Sequence, residues 1–438
     1  MRQRATLQHV AGSSSIIRRD VQPQRTFRAF ENRAYLRLWL ANCLLYTSRW
    51  MQMTLLAWLI LDLTDSPWLV ALVGFFSSAP MFLLGLAGGI LADRVHRQPL
   101  LMLSQGTNVV SNLFLTLLLG TGAVQVWHAY LAVLITGACW ALDTPSRRAV
   151  IYDLLGVEGV TNAVALDSVG MNASRMCGPA LAGVLITLVG VTGGYVAITL
   201  LCTMAWALLS SLRIPRAPHQ ERRQQSFGRN LLEGFRYVRE NSTIKATLYI
   251  TVVMNVLLFP YVQMVPVIAR DVLHVDATCM GVLQAAEGLG ALVGAVLIAS
   301  AVRINYHRRV FVWGSMLALV GLCVFSMSRW YMLSLPTLLF LGLGTAGFGT
   351  MQSTLVMLAA PEEMRGRALG VLSLAIGTGP LGSLLMGAMA SAVHPVFAIR
   401  INALLGIVSL AGIMVLLPAF TDRTQPLRAS PIPRQARS

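Results

Sequence analysis

Charged residues are scarce in this sequence, and acidic residues are the scarcest. Only 12% of the 438 residues are charged and 18 are Asp or Glu, whereas 55% are hydrophobic. A soluble globular protein carries about 25% charged residues. Two long stretches, 66–92 and 98–142, contain no Asp, Glu, Lys or Arg, and a helix that crosses a membrane needs about 20 apolar residues. This composition excludes a soluble globular protein and predicts an integral membrane protein.

Catalytic and metal-binding motifs are also missing. The six cysteines are scattered singly and no two of the seven histidines share a helical face, so neither a disulfide framework nor a metal centre is expected. The sequence contains no Gly-rich phosphate loop and no nucleophile–base set, and its only sizeable polar segments are the two tails and the central loop. We therefore predict no cofactor, no bound metal, no enzymatic activity and no ATP-driven transport by this chain alone.

The charge that is present is mostly basic, with a formal net charge of +16. All but five of the 34 Lys and Arg residues lie in the tails or in alternate loops. Arg49 and Arg175 lie inside predicted helices, and Arg270, Arg329 and Arg400 lie in the other set of loops. This is the positive-inside pattern of multi-pass membrane proteins. It predicts that both termini are cytoplasmic, and it explains the basicity without a nucleic-acid partner.

Apolar blocks of membrane length predict an all-α protein with twelve transmembrane helices in two six-helix bundles. Weak repeats relate the bundles, because aligning Ala163 with Ala368 also pairs Ser168 with Ser373. The predicted segments are a disordered cytoplasmic tail, 1–33; an N-terminal bundle, 34–212; a cytoplasmic linker with an interfacial helix, 213–242; a C-terminal bundle, 243–418; and a cytoplasmic tail, 419–438. A turn at Gly193-Gly194 is predicted to lead into helix 6.

The polar run from Gly89 to Arg97 separates the second and third predicted helices. Its spacing, Gly-x-x-x-Asp-Arg-x-x-Arg, resembles the signature loop between helices 2 and 3 of the major facilitator superfamily. His96 stands where that family has Gly, and Gln98 stands where it has a basic residue. The resemblance implies two pseudo-symmetric bundles that rock around a shared site at the membrane midplane.

Six further stretches are similar to the bacterial efflux branch of this superfamily, which includes enterobactin exporters and macrolide efflux pumps. They are Trp50-Met51-Gln52, Asn162-Ala163, 178–183, 233–238, 266–273 and 365–367. In predicted helix 5, the residues Gly178, Pro179 and Gly183 resemble the antiporter-type motif, in which small residues allow close helix approach. Two Ala and one Ser stand where that motif favours Gly, which softens the match.

Ionisable residues inside membrane spans are costly in lipid and are therefore candidates for function. Glu287 in predicted helix 8 and Arg175 in predicted helix 5 lie at similar depth, and the resemblance implies that these helices are neighbours. We predict that the two residues form a pair that couples transport to protons. Two alternatives stay open: a fixed ion pair that only holds the helices together, or residues that line the cavity without either role. Arg49, Trp50 and Gln52 of helix 1 are predicted to line the substrate cavity.

A second set of charged residues is predicted to form a gate on the cytoplasmic side rather than a binding site. An acid in the loop after helix 2 can face the start of helix 11, where the helix dipole favours it, and residues 143 and 147 lie one helical turn apart. The alternative is an ordinary solvated loop. The predicted gate residues are Gly89, Asp93, Arg94, Arg97, Asp143, Arg147, Arg148, Arg365 and Arg367.

Together these features predict a secondary transporter of the bacterial inner membrane. The resemblance implies a monomer that exports an amphipathic small molecule, a siderophore or a hydrophobic drug, by alternating access in exchange for protons. A lysophospholipid or lipid-precursor flippase of the same fold is the alternative, and it would show transport that depends on the acyl chain. A membrane sensor or scaffold would leave Glu287 and Arg49 unexplained.

Overall fold

The computed structural model describes residues 28–94, 97–212, 227–300 and 306–416, and within them it does not describe the side chains of 85–94, 157–158, 227–232 and 362. Over the described residues the chain is helical and contains no strand. Ten helices are long and apolar enough to cross a membrane. One of them, Gly159–Ser210, has 52 residues, about 78 Å of helix at 1.5 Å per residue, which is more than twice the thickness of a bilayer core.

This long helix is divided at Gly190, whose φ of 72° and ψ of 178° interrupt the helical backbone. With that division, and with the helix Arg33–Thr64, the spans number twelve in two bundles of six, and the predicted fold class is confirmed. In order, the twelve spans are Arg33–Thr64, Pro67–Arg94, Arg97–Gly120, 126–155, 157–189, 191–210, Ser242–Asp271, Ala277–Ser300, His307–Met327, Tyr331–Ala359, Glu363–Ala392 and Pro395–Leu416. A linker helix, Phe227–Glu240, lies between spans 6 and 7.

The predicted turn at Gly193-Gly194 is wrong by a few residues. The chain turns at Gly190, and Gly194 lies inside span 6. A Cβ atom on Gly194 would come within 2.6 Å of the Leu55 side chain in span 1, so this glycine serves close helix packing. Of Gly190, Gly193 and Gly194, only Gly190 takes the positive φ that residues with a side chain disfavour.

Spans 7 and 11 are interrupted near their middle. Span 7 passes from α-helix into a π-turn at Met254–Leu258 and a 3-10 turn at Phe259–Met264 before it resumes as Val265–Asp271. Span 11 breaks between Ile376 and Gly379. Proline removes a backbone donor and clashes with the preceding turn, and Pro260, Pro266 and Pro380 lie in or beside these breaks.

Most of the apolar surface of the spans points away from the protein. In the ten apolar helices, the most hydrophobic window is between 17% and 56% buried inside the protein, and large side chains such as Leu83, Leu103 and Leu188 are at least 70% exposed. An apolar outer face of this extent requires lipid around it. The chain is therefore a multi-pass membrane protein.

The two bundles meet along spans 5 and 8 and along spans 2, 7 and 11. Because the number of spans is even, the start of span 1 and the end of span 12 lie on the same side of the membrane. We call this side the tail side and the opposite side the far side.

Candidate functional site

A cavity of about 380 Å³ lies between the two bundles at mid-depth. Spans 1, 2, 4 and 5 line it from one bundle, and spans 7, 8, 10 and 11 line it from the other. The interruptions in spans 7 and 11 both face it, because Phe259, Pro260, Gly377 and Gly379 belong to its wall. The breaks in the helices thus place polar backbone and small side chains beside the cavity, where lipid cannot reach them.

Arg175 and Glu287 form an ion pair in this cavity, with 2.5 Å between Nη2 of Arg175 and Oε1 of Glu287. Glu287 is 5% exposed, and the same carboxylate oxygen also accepts a hydrogen bond of 3.2 Å from Thr345. The pair joins span 5 to span 8, hence one bundle to the other. A Cβ atom on Gly288 would lie 2.7 Å from the Cα atom of Met176, so the glycine allows the close approach that brings the two charges together.

The guanidinium of Arg175 keeps a free donor, because its Nε atom is buried without a hydrogen-bond partner among the described residues. Its Cζ atom lies 5.4 Å from the centre of the Trp50 ring. A buried donor without a partner costs free energy. The guanidinium can therefore donate a further hydrogen bond to a bound molecule without breaking the ion pair.

Arg49 also lies in the cavity wall, and it forms no ion pair with any described residue. Its Cζ atom lies 4.6 Å from the Trp140 ring centre, and Nη2 donates to Oγ of Ser77 at 3.3 Å. The cation–π contact and one neutral hydrogen bond hold the guanidinium in place. Two of the predicted cavity residues, Arg49 and Trp50, thus lie in the cavity wall.

Gln52 lies elsewhere, inside the N-terminal bundle. Its amide donates to Oδ1 of Asn112 at 3.0 Å and accepts from the Thr136 hydroxyl at 3.0 Å, and the residue is 2% exposed. Two residues along a helix correspond to a rotation of about 200°, so Gln52 points away from the face that carries Trp50. Its amide stabilises spans 1, 3 and 4 rather than meeting a ligand in the large cavity.

The structure describes the side chains of six of the nine predicted gate residues, and these six lie in several different contacts. Asp143 and Arg147 pair at 2.7 Å and are 1% and 4% exposed. Arg147 also donates to the Asn42 side chain, which donates to Asp167 at 2.8 Å. Because arginine can only donate and an ionised carboxylate can only accept, Asn42 must bridge them in this orientation. Asp143 and Arg147 therefore belong to a polar network inside the N-terminal bundle.

The remaining gate residues lie on the tail side in separate contacts. Arg97 pairs with Asp153 at the end of span 4, and Arg367 pairs with Glu233 of the linker helix at 2.7 Å. Arg365 donates to the carbonyl oxygens of Met357 and Ala360 at the end of span 10, and Arg148 is exposed. The side chains of Gly89, Asp93 and Arg94 lie outside the described part of the chain.

The residues of the predicted helix-5 motif pack span 5 against span 1 in its own bundle and against span 8 in the other bundle. A Cβ atom on Gly178 would lie 2.7 Å from the Trp50 side chain, and one on Gly183 would lie 3.0 Å from the Cα atom of Gly281 in span 8. The backbone oxygen of Pro179 faces Gly281 in the same way. The motif thus allows the close contact between spans 5 and 8 beside the ion pair.

Several polar residues at the site were missed by sequence reasoning: Gln284, Asn255 and Ser383 in the cavity wall, and Thr345 beside Glu287. Gln284 accepts a 2.6 Å hydrogen bond from Thr54 across the two bundles, and Thr345 donates to Glu287. For Asn255 and Ser383, the available signal was the helix-breaking residues of spans 7 and 11, because a broken helix at mid-depth requires a polar, protein-lined surface.

The chain matches the model of the major facilitator branch described as transmembrane secretion effector over residues 24–436. It is 28% identical over 359 residues to an enterobactin exporter of Citrobacter koseri, covering 81% of this chain and 84% of the relative. It is 23% identical over 384 residues to a staphyloferrin A transporter of Staphylococcus aureus, covering 86% of this chain and 93% of the relative.

Solved structures show the same fold at low sequence identity. A transporter of the POT family superposes with a TM-score of 0.71 at 11% identity, covering 89% of this chain and 97% of that one. A D-xylose–proton symporter superposes with a TM-score of 0.69 at 13% identity, covering 91% of this chain and all of that one. The family consists of transporters, so the prediction that the chain is not an enzyme is confirmed. The chain belongs to the transmembrane secretion effector family of the major facilitator superfamily.

Proposed function

We propose that this secondary transporter exports an amphipathic, siderophore-like small molecule across the bacterial inner membrane in exchange for protons. The observation that carries the proposal is the ion pair between Arg175 and Glu287, which lies in the central cavity and joins the two bundles. The bacterial relatives named as an enterobactin exporter and a staphyloferrin A transporter support the class of cargo.

The cavity suits a small molecule with an anionic or hydrogen-bonding end and a flat apolar part. Its volume of about 380 Å³ falls within the usual range for ligand sites. Its charged residues are Arg49, Arg175 and Glu287, two cations and one anion. Trp50 and Trp140 offer flat faces beside the guanidinium groups. We propose that Arg49 binds the polar end of the cargo and that the indoles contact its apolar part.

Glu287 is the proposed proton carrier, because its two states bind different partners. As a carboxylate it accepts hydrogen bonds from Arg175, from Thr345 and from donor groups of the cargo. A proton on the carboxyl group removes its negative charge and weakens all three. Cargo and proton then compete for one group, and such competition is reciprocal. Exchange follows if only the cargo-bound and the protonated forms change conformation readily.

The cargo crosses the membrane by alternating access, in which the cavity opens first to one side and then to the other. In the structure the bundles touch closely on the far side, and Gly366 and Gly370 on the tail side of span 11 have open space beside them. The basic residues gathered on the tail side indicate that it is the cytoplasmic side. We propose that cargo enters from the cytoplasm in this conformation, that the bundles then rock about the cavity, and that the transporter works as a monomer.

Everted membrane vesicles with a pH-sensitive dye test this function. Respiration acidifies the vesicle lumen, and a panel of siderophores, macrolides and dye-like drugs is then added. We expect at least one siderophore to trigger proton release from vesicles with the wild-type protein and none from vesicles with Glu287→Gln. Asp62→Asn is the matched control, because Asp62 is an exposed carboxylate near the far end of span 1.

Equal proton release from the wild type and from Glu287→Gln would refute the coupling role of Glu287. A response to drugs alone would refute the siderophore assignment. No response to the panel, together with transport of lysophospholipid that depends on its acyl chain, would replace the proposal with a lipid flippase.

A further inference from the structure

Arg270 at the end of span 7 connects the two bundles on the far side. Its Nη2 atom lies 2.8 Å from Oδ1 of Asp65, which follows span 1, and its Nη1 atom donates to the carbonyl oxygen of Leu61 at 3.2 Å. Its Nε atom pairs with Asp271 of its own bundle at 2.7 Å. One guanidinium thus joins the C-terminal bundle to both a side chain and the backbone of the N-terminal bundle.

The end of span 1 is well suited to receive this guanidinium. Span 1 ends at Asp65, which takes the left-handed conformation with φ of 50°. The last carbonyl groups of a helix lack partners within the helix and carry partial negative charge. The carbonyl oxygen of Leu61 already accepts from the backbone N–H of Asp65. A cation that binds Leu61 and Asp65 together adds a second hydrogen bond to this oxygen and pairs with an exposed carboxylate.

A second set of contacts joins the two bundles on the far side, between spans 5 and 8. The hydroxyl of Thr278 donates to that of Thr187 at 2.8 Å, and Gly183 packs directly on Gly281. Among pairs of described residues, every hydrogen bond or ion pair between the bundles lies at the midplane or nearer the far side. Opening the cavity to the far side must break the contacts of Arg270 with Leu61 and Asp65.

We infer that Arg270 and Asp65 form a latch that holds the far side closed and sets the balance between the two conformations. The side chains of Arg270 and Asp65 are 29% and 79% exposed. An exposed ion pair shifts an equilibrium by about five-fold at most, which suits a contact that must break in every cycle. The inference depends on neither the cargo nor the coupling ion.

Hydrogen–deuterium exchange of the purified full-length protein in lipid nanodiscs tests the latch without cargo or a pH gradient. The decisive pair of variants is Asp65→Asn and Asp271→Asn. Each removes one carboxylate from the same guanidinium, but only Asp65 belongs to the other bundle. Asn also tolerates the left-handed conformation that position 65 requires.

We expect Asp65→Asn to raise exchange in the far-side segments 61–66 and 265–277 and to lower it on the tail side of span 11, because the bundles rock as units. The change corresponds to a shift of about two- to five-fold in the ratio of the conformations. Arg270→Gln, which also loses the Leu61 contact, should shift the ratio further in the same direction, and Asp271→Asn should leave it unchanged.

Equal changes in Asp65→Asn and Asp271→Asn would overturn the latch, as would a far-side increase without a tail-side decrease. If Asp65→Asn proves unstable in a thermal unfolding control, Arg270→Gln decides the question by the same two criteria. Failure of the vesicle assay leaves these measurements unaffected, so the latch and the proposed transport can fail separately.

Discussion

The ion pair between Arg175 and Glu287 has two explanations, coupling or structural support, and a double-mutant cycle separates them. Breaking a buried pair by removing one member costs about 3–5 kcal/mol, because the other charge stays buried and alone. The side chain of Arg175 is 22% exposed and that of Glu287 is 7% exposed, so we expect a loss of about 3 kcal/mol, the lower end of that range, for Glu287→Gln. The free energy of unfolding, measured by SDS titration in mixed micelles, gives this value.

The stability of the two single variants, Glu287→Gln and Arg175→Met, should depend on pH in different ways. Arginine cannot lose its charge, so Glu287→Gln leaves a cation at every pH. A carboxyl group can bind a proton instead, so Arg175→Met should be less destabilising in acid than near neutral pH. The double variant Arg175→Met with Glu287→Gln contains neither charge. We expect it to be more stable than the sum of the single losses predicts, by about 1–3 kcal/mol.

Transport by the double variant decides between the explanations. If the pair couples protons to cargo, the double variant folds but does not release protons when cargo is added. If the pair only supports spans 5 and 8, the double variant transports like the wild type. Strictly additive losses of stability would refute the reasoning itself, because they would show that the two side chains do not interact in the folded protein.

Two further substitutions test the packing around the site. Arg147→Met leaves the buried carboxylate of Asp143 in the N-terminal bundle without its guanidinium, so we expect a loss of about 3–5 kcal/mol in the same unfolding assay; a loss under 1 kcal/mol would contradict it. Gly183→Val should separate spans 5 and 8, because the added atoms meet the backbone of Gly281, and it should raise far-side hydrogen exchange. Gly412→Val in span 12 is its control, since nothing lies within 4 Å of the added Cβ, and equal effects of both would refute the close-packing explanation.

The class of the protein and most of its spans follow from the amino-acid sequence alone. Hydropathy and charge act on each segment separately, because lipid excludes charged side chains and unpaired backbone groups wherever they occur along the chain. The pair of Arg175 and Glu287 could also be anticipated once the family resemblance implied that helices 5 and 8 are neighbours, since an acid and a base at similar depth reduce each other's cost in lipid.

Which side chains meet depends on how the helices pack. Each residue turns the helix by about 100°, so two positions along span 1 are enough to direct Gln52 into the N-terminal bundle while Trp50 faces the cavity. Among the predicted gate residues whose side chains the structure describes, Arg147 contacts Asn42 within its own bundle and Arg367 contacts the linker helix. The far-side contact of Arg270 with Asp65 joins residues about two hundred positions apart, and no local pattern indicates it. Partners of this kind depend on the rotation and packing of whole helices, which the order of residues along one helix does not specify.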